Sequence, residues 1–296
     1  MYLKRISDSE NISLVDGNVP YLKINKFNKY KEITAVFSTR LGGVSTGQFT
    51  SMNFCTTLGD SKENVKTNFD IFAKACNLKN FVLSKQTHTT NVMTVTVDDI
   101  NKGLTKQMDY DNVDGLITNI PNITLSTFYA DCVPLYFYDP VHRVMGLSHA
   151  GWRGTVNNIA KETINKMNNE FDSSPYDIVC AIGPSICVNC YEVSKDVADE
   201  FIKAFNINEI ESYETITDKT KIPPDTNNIL YKKGKDDKYM LNLWAANYQN
   251  MLNSKIKAEN ISLPDICTCE NKEILFSHRG LAGKRGNLGA FMMINQ

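Results

Sequence analysis

The sequence predicts a mixed α+β fold, because short strand patterns occur in adjacent pairs that single helices separate. Short runs rich in β-branched or aromatic residues predict the strands, and apolar residues at helical spacing predict the helices between them. No repeat of fixed period, low-complexity block or Pro/Gly/Ser-rich linker interrupts the 296 residues. We therefore expect a single domain over residues 1–296.

The strand and helix patterns follow one another along the whole chain. The strand pattern covers residues 33–38, 92–97, 115–118, 123–128, 133–138, 144–149, 178–182 and 274–277. Asp60, with Glu63 three residues later, is typical of a capping box and predicts the start of the first helix. A second helix is predicted over 155–171, and others after Ser194 and Tyr239. The polar stretch 217–237 is predicted to lie on the surface.

The balance of charged and apolar residues argues against several classes of protein. The chain has 32 Lys+Arg and 33 Asp+Glu, a formal net charge of −1, so we expect no nucleic-acid partner. No apolar stretch approaches the roughly 20 residues that a membrane span needs, so we expect no membrane insertion. Residues 1–14 mix charged and apolar side chains, unlike a signal peptide. Eight cysteines in so long a chain are interpreted as reduced thiols, and a cytoplasmic location is expected.

Two cysteine pairs have spacings that metal sites or redox sites use. Cys187 and Cys190 are separated by two residues, as in a zinc knuckle or a redox pair. Cys267 and Cys269 could complete a four-thiolate site with them. Because Cys-x-Cys is an uncommon partner for Cys-x-x-Cys, the sequence alone favours ordinary buried or half-exposed thiols.

Residues 130–154 carry the side chains that point most directly to chemistry. Two apolar strands flank the segment from Asp139 to His142 and predict a β-hairpin. If Asp139 and His142 closed a two-residue loop, Cys132 and His149 would face each other with Cβ atoms roughly 5 Å apart. A thiolate and an imidazole at that separation can share a metal ion. The alternative is a buried cysteine beside a hydrogen-bonded histidine.

A third metal ligand is needed, and the chain has only four histidines. His142 lies in the predicted turn and His278 is next to Arg279, which leaves His88 ahead of the strand pattern at 92–97. One thiolate and two imidazoles suit Zn²⁺, with copper as a substitute in vitro. Three protein ligands leave one coordination position for water, as in catalytic zinc sites.

Two arginines are predicted to bind an anion. Arg40 lies at a glycine-rich turn that follows a strand pattern, and Arg153 just precedes a predicted helix. A guanidinium group is a planar, bidentate donor for phosphate or carboxylate. A surface ion pair is the alternative for each arginine. Asp131 and Glu192 are the candidates for a proton shuttle.

Several motifs in one order along the chain resemble the YfiH/YlmD family, also called the laccase-domain or multicopper polyphenol oxidase family. The motifs are Thr39-Arg40-x-Gly42-Gly43-Val44-Ser45, Gln86-x-His88, Ala130-Asp131-Cys132-x-Pro134, His149-Ala150-Gly151-Trp152-Arg153-Gly154, Gly183-Pro184-Ser185-Ile186, Tyr191-Glu192-Val193 and Leu243-Trp244-Ala245-Ala246-Asn247. Residues 277–280 and 283–285 differ from the C-terminal motifs that are usual in the family.

The resemblance implies a fold with β-sheets packed centrally and helices outside. It also implies that zinc is bound by His88, Cys132 and His149. Members of the family are viewed as purine nucleoside phosphorylases, so the implied reactions are phosphorolysis of adenosine, inosine and methylthioadenosine, together with adenosine deamination. A purine nucleoside and phosphate are the expected partners. The candidate catalytic residues are Cys132, Asp131, Arg153 and Arg40.

Three other functions remain open from the sequence. A multicopper phenol oxidase would need roughly ten imidazoles, against four histidines here. Cys132 with His149 as its base would suit a thiol hydrolase. A related function is an amidase, thiol- or zinc-dependent, that edits cell-wall peptide precursors, a role attributed to some family members. A fourth protein ligand on the zinc, such as Cys187 or Cys190, would indicate a non-catalytic protein.

Overall fold

Mixed sheets and five α-helices make up the regular structure of this computed structural model. It describes residues 2–55, 57–215, 228–234 and 237–296. Much of the predicted polar stretch, residues 217–227 and 235–236, lies outside the described residues. The helices are α1 (Lys62–Cys76), α2 (Trp152–Val156), α3 (Ile159–Phe171), α4 (Lys195–Phe205) and α5 (Leu243–Asn253). None of the described helices is long and apolar enough to cross a membrane.

The described strands form two six-stranded sheets and one three-stranded sheet. The first sheet has the order β1 (Ile12–Val15), β2 (Tyr21–Ile24), β3 (Ile33–Ser38), β15 (Leu288–Ile294), β7 (Thr124–Tyr129) and β4 (Phe81–Leu83). The second has the order β14 (Ile261–Ser262), β10 (Val179–Ile182), β8 (Val133–Asp139), β9 (Val144–Ala150), β6 (Gly115–Thr118) and β5 (Val92–Thr94). The third has the order β11 (Glu192–Ser194), β13 (Lys238–Leu241) and β12 (Leu230–Lys233).

The two large sheets pack face to face between layers of helix. Val36 in β3 faces the cluster around α1, whereas its neighbour Phe37 faces the second sheet. In β8, Tyr136 faces the first sheet and Phe137 faces the cluster that includes α3 and α5. Strands buried on both faces read as continuous apolar runs, which explains the sequence of β8. The predicted mixed fold, with central sheets and helices outside, is confirmed; the single domain stays a prediction.

Seven of the eight predicted strands are present, with ends that shift by a few residues. The prediction of a strand at 274–277 is wrong. Ile274 and Leu275 are buried, yet the backbone N–H groups of both donate to the carbonyl oxygen of Asn271 in a turn. A short buried apolar run has the same pattern in a strand and in a packed turn.

The predicted helix at 155–171 is also divided. Asn158 takes a left-handed φ of 58°, and its side chain accepts a hydrogen bond from the Lys161 N–H to begin α3. The cap of α1 is Ser61 rather than Asp60, because the Ser61 hydroxyl accepts from the N–H groups of Glu63 and Asn64. Asn and Ser commonly cap helices in this way.

The hairpin of β8 and β9 has a different register from the predicted one. Residues 140–143 form a four-residue connection, so that Pro134, and not Cys132, pairs with His149. A shift of two residues preserves which side chains share a face. Cys132, one residue before β8, therefore still comes within reach of His149.

Candidate metal centre

His88, Cys132 and His149 come together where the two large sheets meet. His88 lies in the loop between β4 and β5, Cys132 lies in the bend that carries the chain from β7 to β8, and His149 lies in β9. One ligand atom from each residue lies within 4.8 Å of the other two. The two imidazole rings are 5.0 Å apart, edge to face. The side chains predicted as metal ligands thus form one cluster.

Asp114, directly before β6, holds both histidines in place. Its carboxylate accepts a hydrogen bond from His149 Nδ1 at 2.8 Å, which leaves Nε2 to face Cys132. The same carboxylate accepts from the backbone N–H groups of Thr87, His88 and Thr89, at 3.0, 3.1 and 2.8 Å. These bonds fix the loop in which His88 has a left-handed φ of 66°. A carboxylate on the outer nitrogen of a histidine is the usual support of a metal-ligating imidazole.

The charges in the cluster favour an ionised thiol. Burial opposes ionisation of Cys132, but His149 and His88 outweigh it and lower the pKa of the thiol to about 6. Burial also opposes the charge on His149, yet Cys132 and Asp114 raise its pKa to about 9. Burial works against Asp114 as well, while His149 and the loop amides lower its pKa to about 2. A thiolate at neutral pH is the form that binds metal.

The space around the donors fits a zinc ion. A Cβ atom added at Gly151 would lie 2.8 Å from His88 Cδ2 and 3.3 Å from Cys132 Sγ, so only glycine leaves room beside the cluster. Two imidazoles and one thiolate form a donor set that suits Zn²⁺. These three ligands would leave one of four tetrahedral positions for water or substrate.

The three side chains of the cluster take part in the lining of a cavity of about 670 Å³. That volume is within the range of small-molecule sites. The apolar side chains of the lining are Phe54, Val65, Phe69, Leu83, Leu104, Met108 and Phe128. The lining also includes polar side chains: Lys62, Lys85, Gln86, Lys106, Arg285 and Asn287. A ligand with an apolar ring and an anionic or hydroxylated group fits this mixed lining.

Four other residues that the sequence singled out lie outside the cavity lining. Arg40 donates to the carbonyl oxygens of Thr50 and Lys272, both at 3.0 Å. Arg153 is exposed and stacks on the Trp152 ring at 4.1 Å.

Asp131 and Glu192 are likewise engaged elsewhere. Thr268 Oγ1 donates to one Asp131 carboxylate oxygen and the Arg279 N–H to the other, each at 2.7 Å. Glu192 pairs with Lys233 Nζ at 2.7 Å on the small sheet. The contacts of Asp131 connect the bend at Cys132 to the segment 263–287.

Two important residues were not singled out from the sequence. Asp114 gave no pattern signal, because a lone acid before a strand is common. Arg285 belongs to the stretch that departs from the family motifs, and it lines the cavity with Asn287. Burial lowers the pKa of Arg285. The thiolate of Cys132 is one of the charges that interact with its guanidinium group. Only the structure shows that the Arg285 cation lies beside the three candidate metal ligands.

Fold and site together define an α/β protein with two central sheets and a candidate histidine–cysteine metal centre in a cavity. The chain belongs to the family described as multi-copper polyphenol oxidoreductase laccase, which residues 34–295 match. It is 32% identical over 265 residues to the purine nucleoside phosphorylase YlmD of Bacillus subtilis, covering 88% of each chain. It is 31% identical to a purine nucleoside phosphorylase of Bacteroides thetaiotaomicron, covering 93% of this chain and 96% of that one.

Solved structures of relatives have the same fold. The hypothetical protein YfiH of Bacillus licheniformis superposes with a TM-score of 0.84 at 29% identity, over 97% of this chain and 100% of that one. YlmD of Geobacillus stearothermophilus superposes with a TM-score of 0.83 at 27% identity, over 96% of this chain and 99% of that one. The predicted resemblance to the YfiH/YlmD family is therefore confirmed.

Proposed function

We propose that this protein is a zinc-dependent purine nucleoside phosphorylase that accepts adenosine, inosine and methylthioadenosine. The observation that carries the proposal is the placement of His88, Cys132 and His149 together in the lining of a cavity large enough for a nucleoside. Relatives named purine nucleoside phosphorylase, at 31–32% identity over most of the chain, support it.

Different residues of the cavity lining suit the purine and the phosphate. The purine would pack against the apolar lining, in which Phe128 and Met108 take part. Phosphate would bind beside Arg285, the arginine in the cavity lining, whose guanidinium can bind two phosphate oxygens. We therefore assign phosphate to Arg285; anion binding by Arg40 and Arg153 stays a prediction that their present contacts do not favour.

Phosphorolysis exchanges one bond at the ribose C1′ for another. A phosphate oxygen bonds to C1′ while the bond from C1′ to the purine nitrogen breaks, and the base leaves with that electron pair and takes up a proton. Arg285 would hold the attacking phosphate, and the apolar walls would exclude water that competes for C1′. A bound Zn²⁺ would supply Lewis acidity and lower the pKa of a water molecule.

The test is product analysis with the zinc-loaded protein. We expect inosine and phosphate to give hypoxanthine and ribose 1-phosphate, and no comparable release of base without phosphate. Arg285→Lys keeps the charge but loses the planar fork, so its KM for phosphate should rise about tenfold. Arg40→Lys is the matched control. Release of base at the same rate without phosphate would contradict the proposal.

A thiol hydrolase is the second candidate, and one observation favours it. Cys132, His149 and Asp114 are linked in the order of a nucleophile, its base and an orienting carboxylate. Such an enzyme, for example an amidase acting on UDP-linked cell-wall peptides, would keep its activity after zinc is removed by a chelator. Cleavage of that peptide by metal-free protein, with no action on nucleosides, would establish this candidate instead.

Three narrower expectations accompany the proposal. Adenosine deamination, which consumes water rather than phosphate, stays a prediction, and inosine formed from adenosine would demonstrate it. Phenol oxidation has little support, because His142 is bound to Asp139 away from the cluster and only two of the four histidines lie in it. The cytoplasmic location, inferred from the free cysteines, also stays a prediction.

A further inference from the structure

A second group of sulfur atoms lies apart from the cavity lining. The Sγ atoms of Cys187, Cys190 and Cys267 lie within 4.8 Å of one another. The thiol of Cys269 hydrogen-bonds to that of Cys190, so it adjoins the same group. We call these four residues the cysteine group. The proposed reaction uses none of them.

The backbone brings the two cysteine pairs together. Residues 188–190 form one turn of 3₁₀-helix, and side chains three residues apart eclipse one another in such a turn. That places Cys187 and Cys190 on one side of the chain. Ser185 and Cys267 form an isolated parallel bridge, in which the Thr268 N–H donates to the Ser185 carbonyl oxygen at 3.1 Å. The second pair is thereby fixed beside the first.

The polar surroundings of the cysteine group stabilise a thiolate at Cys267, whereas the pKa values of Cys187 and Cys190 are raised within the group. The Cys187 N–H donates to Cys267 Sγ at 3.3 Å, and the Glu270 N–H donates to the same sulfur. Hydrogen bonds from the thiols of Cys187 and Cys190, together with these amides, lower the pKa of Cys267. The Lys4 ammonium group also lies within electrostatic range of Cys190 and Cys187. Hydrogen bonds to sulfur from backbone amides favour the charged form.

Burial makes a bound cation the natural complement of the cysteine group. Cys187 and Cys267 are 2% and 0% exposed, while Cys190 and Cys269 are half-buried. None of the four is joined in a disulfide. If these thiols ionise together, the buried thiolates repel one another unless a cation lies between them. Three sulfur atoms within 4.8 Å of one another, with a fourth hydrogen-bonded to one of them, suit the donor set of tetrahedral zinc.

We propose that Cys187, Cys190, Cys267 and Cys269 form a second, structural Zn²⁺ site. Four thiolates fill the tetrahedral coordination sphere and leave no position for water or substrate, which is the arrangement of a structural rather than a catalytic metal. The sequence alone favoured ordinary thiols at these positions, and the structure reverses that preference by bringing both pairs together. The inference does not depend on the proposed reaction.

The second site would secure the segment 263–287. That segment runs between β14 and β15 without a described helix or strand, and unstructured connections of this length are uncommon unless they are functional. It contributes Thr268 and Arg279 to Asp131, next to Cys132, and Arg285 to the cavity. A metal that ties the segment to the turn at 188–190 would therefore hold one wall of the proposed active site.

The first test counts zinc in the intact protein and needs no variant. Protein equilibrated with Zn²⁺ and a thiol reductant, then desalted, should retain about two zinc ions per chain, one for each site. Elemental analysis against protein concentration measures the ratio. If only about one ion is retained and Cys132→Ser removes it, the cysteine group binds no zinc and the proposal is overturned.

Single-residue variants show which side chains bind each of the two zinc ions. Cys132→Ser and Cys269→Ser should each lose about one of the two zinc ions, and Cys269 is half-exposed, so its replacement is the least disruptive in the group. Cys76→Ala, which removes a buried thiol of α1, is the matched control and should retain both ions. Circular dichroism establishes that each variant is folded. Full zinc content in Cys269→Ser, equal to that of the control, would contradict the assignment.

A spectroscopic test identifies the ligands directly. Cys132→Ser reconstituted with Co²⁺ should show the intense sulfur-to-cobalt charge-transfer absorption of a four-thiolate site. Cys132→Ser combined with Cys269→Ser should retain no cobalt in either site, so this absorption should disappear. Absorption typical of oxygen ligands, or a Cys187–Cys190 disulfide found by mass spectrometry in the reduced, metal-loaded protein, would overturn the proposal.

Discussion

Asp114 is the residue on which the geometry of the candidate metal centre depends most. It binds His149 Nδ1 and three backbone amides of the loop that carries His88. Because a carboxylate only accepts hydrogen bonds, it sets the tautomer of His149 in which Nε2 is free to bind metal. This single side chain therefore positions two of the three donors.

Replacement of Asp114 by asparagine should lower zinc affinity about 10–100-fold. The amide NH₂ can donate to Nδ1, which moves the imidazole proton to the nitrogen that should bind metal. Competition with a chromogenic chelator measures the affinity. Asp139→Asn disturbs the other histidine–aspartate pair, in which His142 Nδ1 lies 2.8 Å from Asp139, and should leave zinc binding unchanged. Equal affinities in the two variants would remove Asp114 from this role.

Cys132 should react faster than the buried thiol of Cys76 at mildly acidic pH in metal-free protein. Its pKa is lowered to about 6 by His149 and His88 despite burial, so the thiolate fraction rises as pH increases through that value. Burial raises the pKa of Cys76 to about 12, so Cys76 should react little at neutral pH. Alkylation rates measured by peptide mass spectrometry should show a midpoint near 6 for Cys132 and protection by Zn²⁺. A midpoint near the ordinary thiol value would contradict the assigned electrostatics.

The clustering of His88, Cys132 and His149 was predictable from the sequence, but the residues that support them were not. Histidines are few in this chain, so elimination led to His88, and the hairpin pattern related Cys132 to His149. Asp114 is far from all three along the chain, and its role follows from strand pairing that no local pattern encodes. Arg285 was missed for the same reason, because the cavity that gives it a role is assembled from distant segments.

Among the secondary-structure elements, the start of α2 controls the space available to a metal. Gly151 is the N-cap of that helix, with a φ of −70° that any residue can adopt. Its importance is therefore steric, since an added Cβ would lie 2.8 Å from His88 Cδ2.

Gly151→Ala should weaken zinc binding by about tenfold or more, because His88 must move away from the added methyl group. Gly154→Ala is the matched control in the same helix, since its Cβ would meet its nearest atom at 3.4 Å, an ordinary contact. Calorimetric titration with Zn²⁺ compares the two. If Gly151→Ala bound zinc as tightly as Gly154→Ala, the cluster would not bind metal at the position we infer.

Elements with local signals were predicted well, and those fixed by tertiary contacts were not. The strands at 33–38 and 115–118 have the predicted bounds, since their β-branched residues have a strong local preference. The break at Asn158 and the register of the hairpin depend on left-handed residues, Asn158 and Arg143, that the patterns did not indicate. The two-residue shift in register did not change the predicted proximity of Cys132 and His149, because it kept both side chains on the same face.

At the scale of the whole molecule, the two large sheets make the site possible. The chain crosses from β7 in the first sheet to β8 in the second at Cys132, and the loops after β4 and before β6 meet at that crossing. The site is thus assembled from both sheets, with His149 buried in β9 and His88 in an exposed loop. The mixed fold was predicted from the order of elements, whereas the pairing of distant strands such as β3 and β15 required the structure.

The measurement that tests the metal centre most directly is an anomalous difference map from crystals of the zinc-loaded protein, collected at the zinc absorption edge. We expect a peak about 2.0–2.3 Å from a nitrogen of His88, a nitrogen of His149 and Cys132 Sγ. The same peak should be absent from Cys132→Ser. A protein that catalyses phosphorolysis but shows no peak among these three side chains would contradict the account.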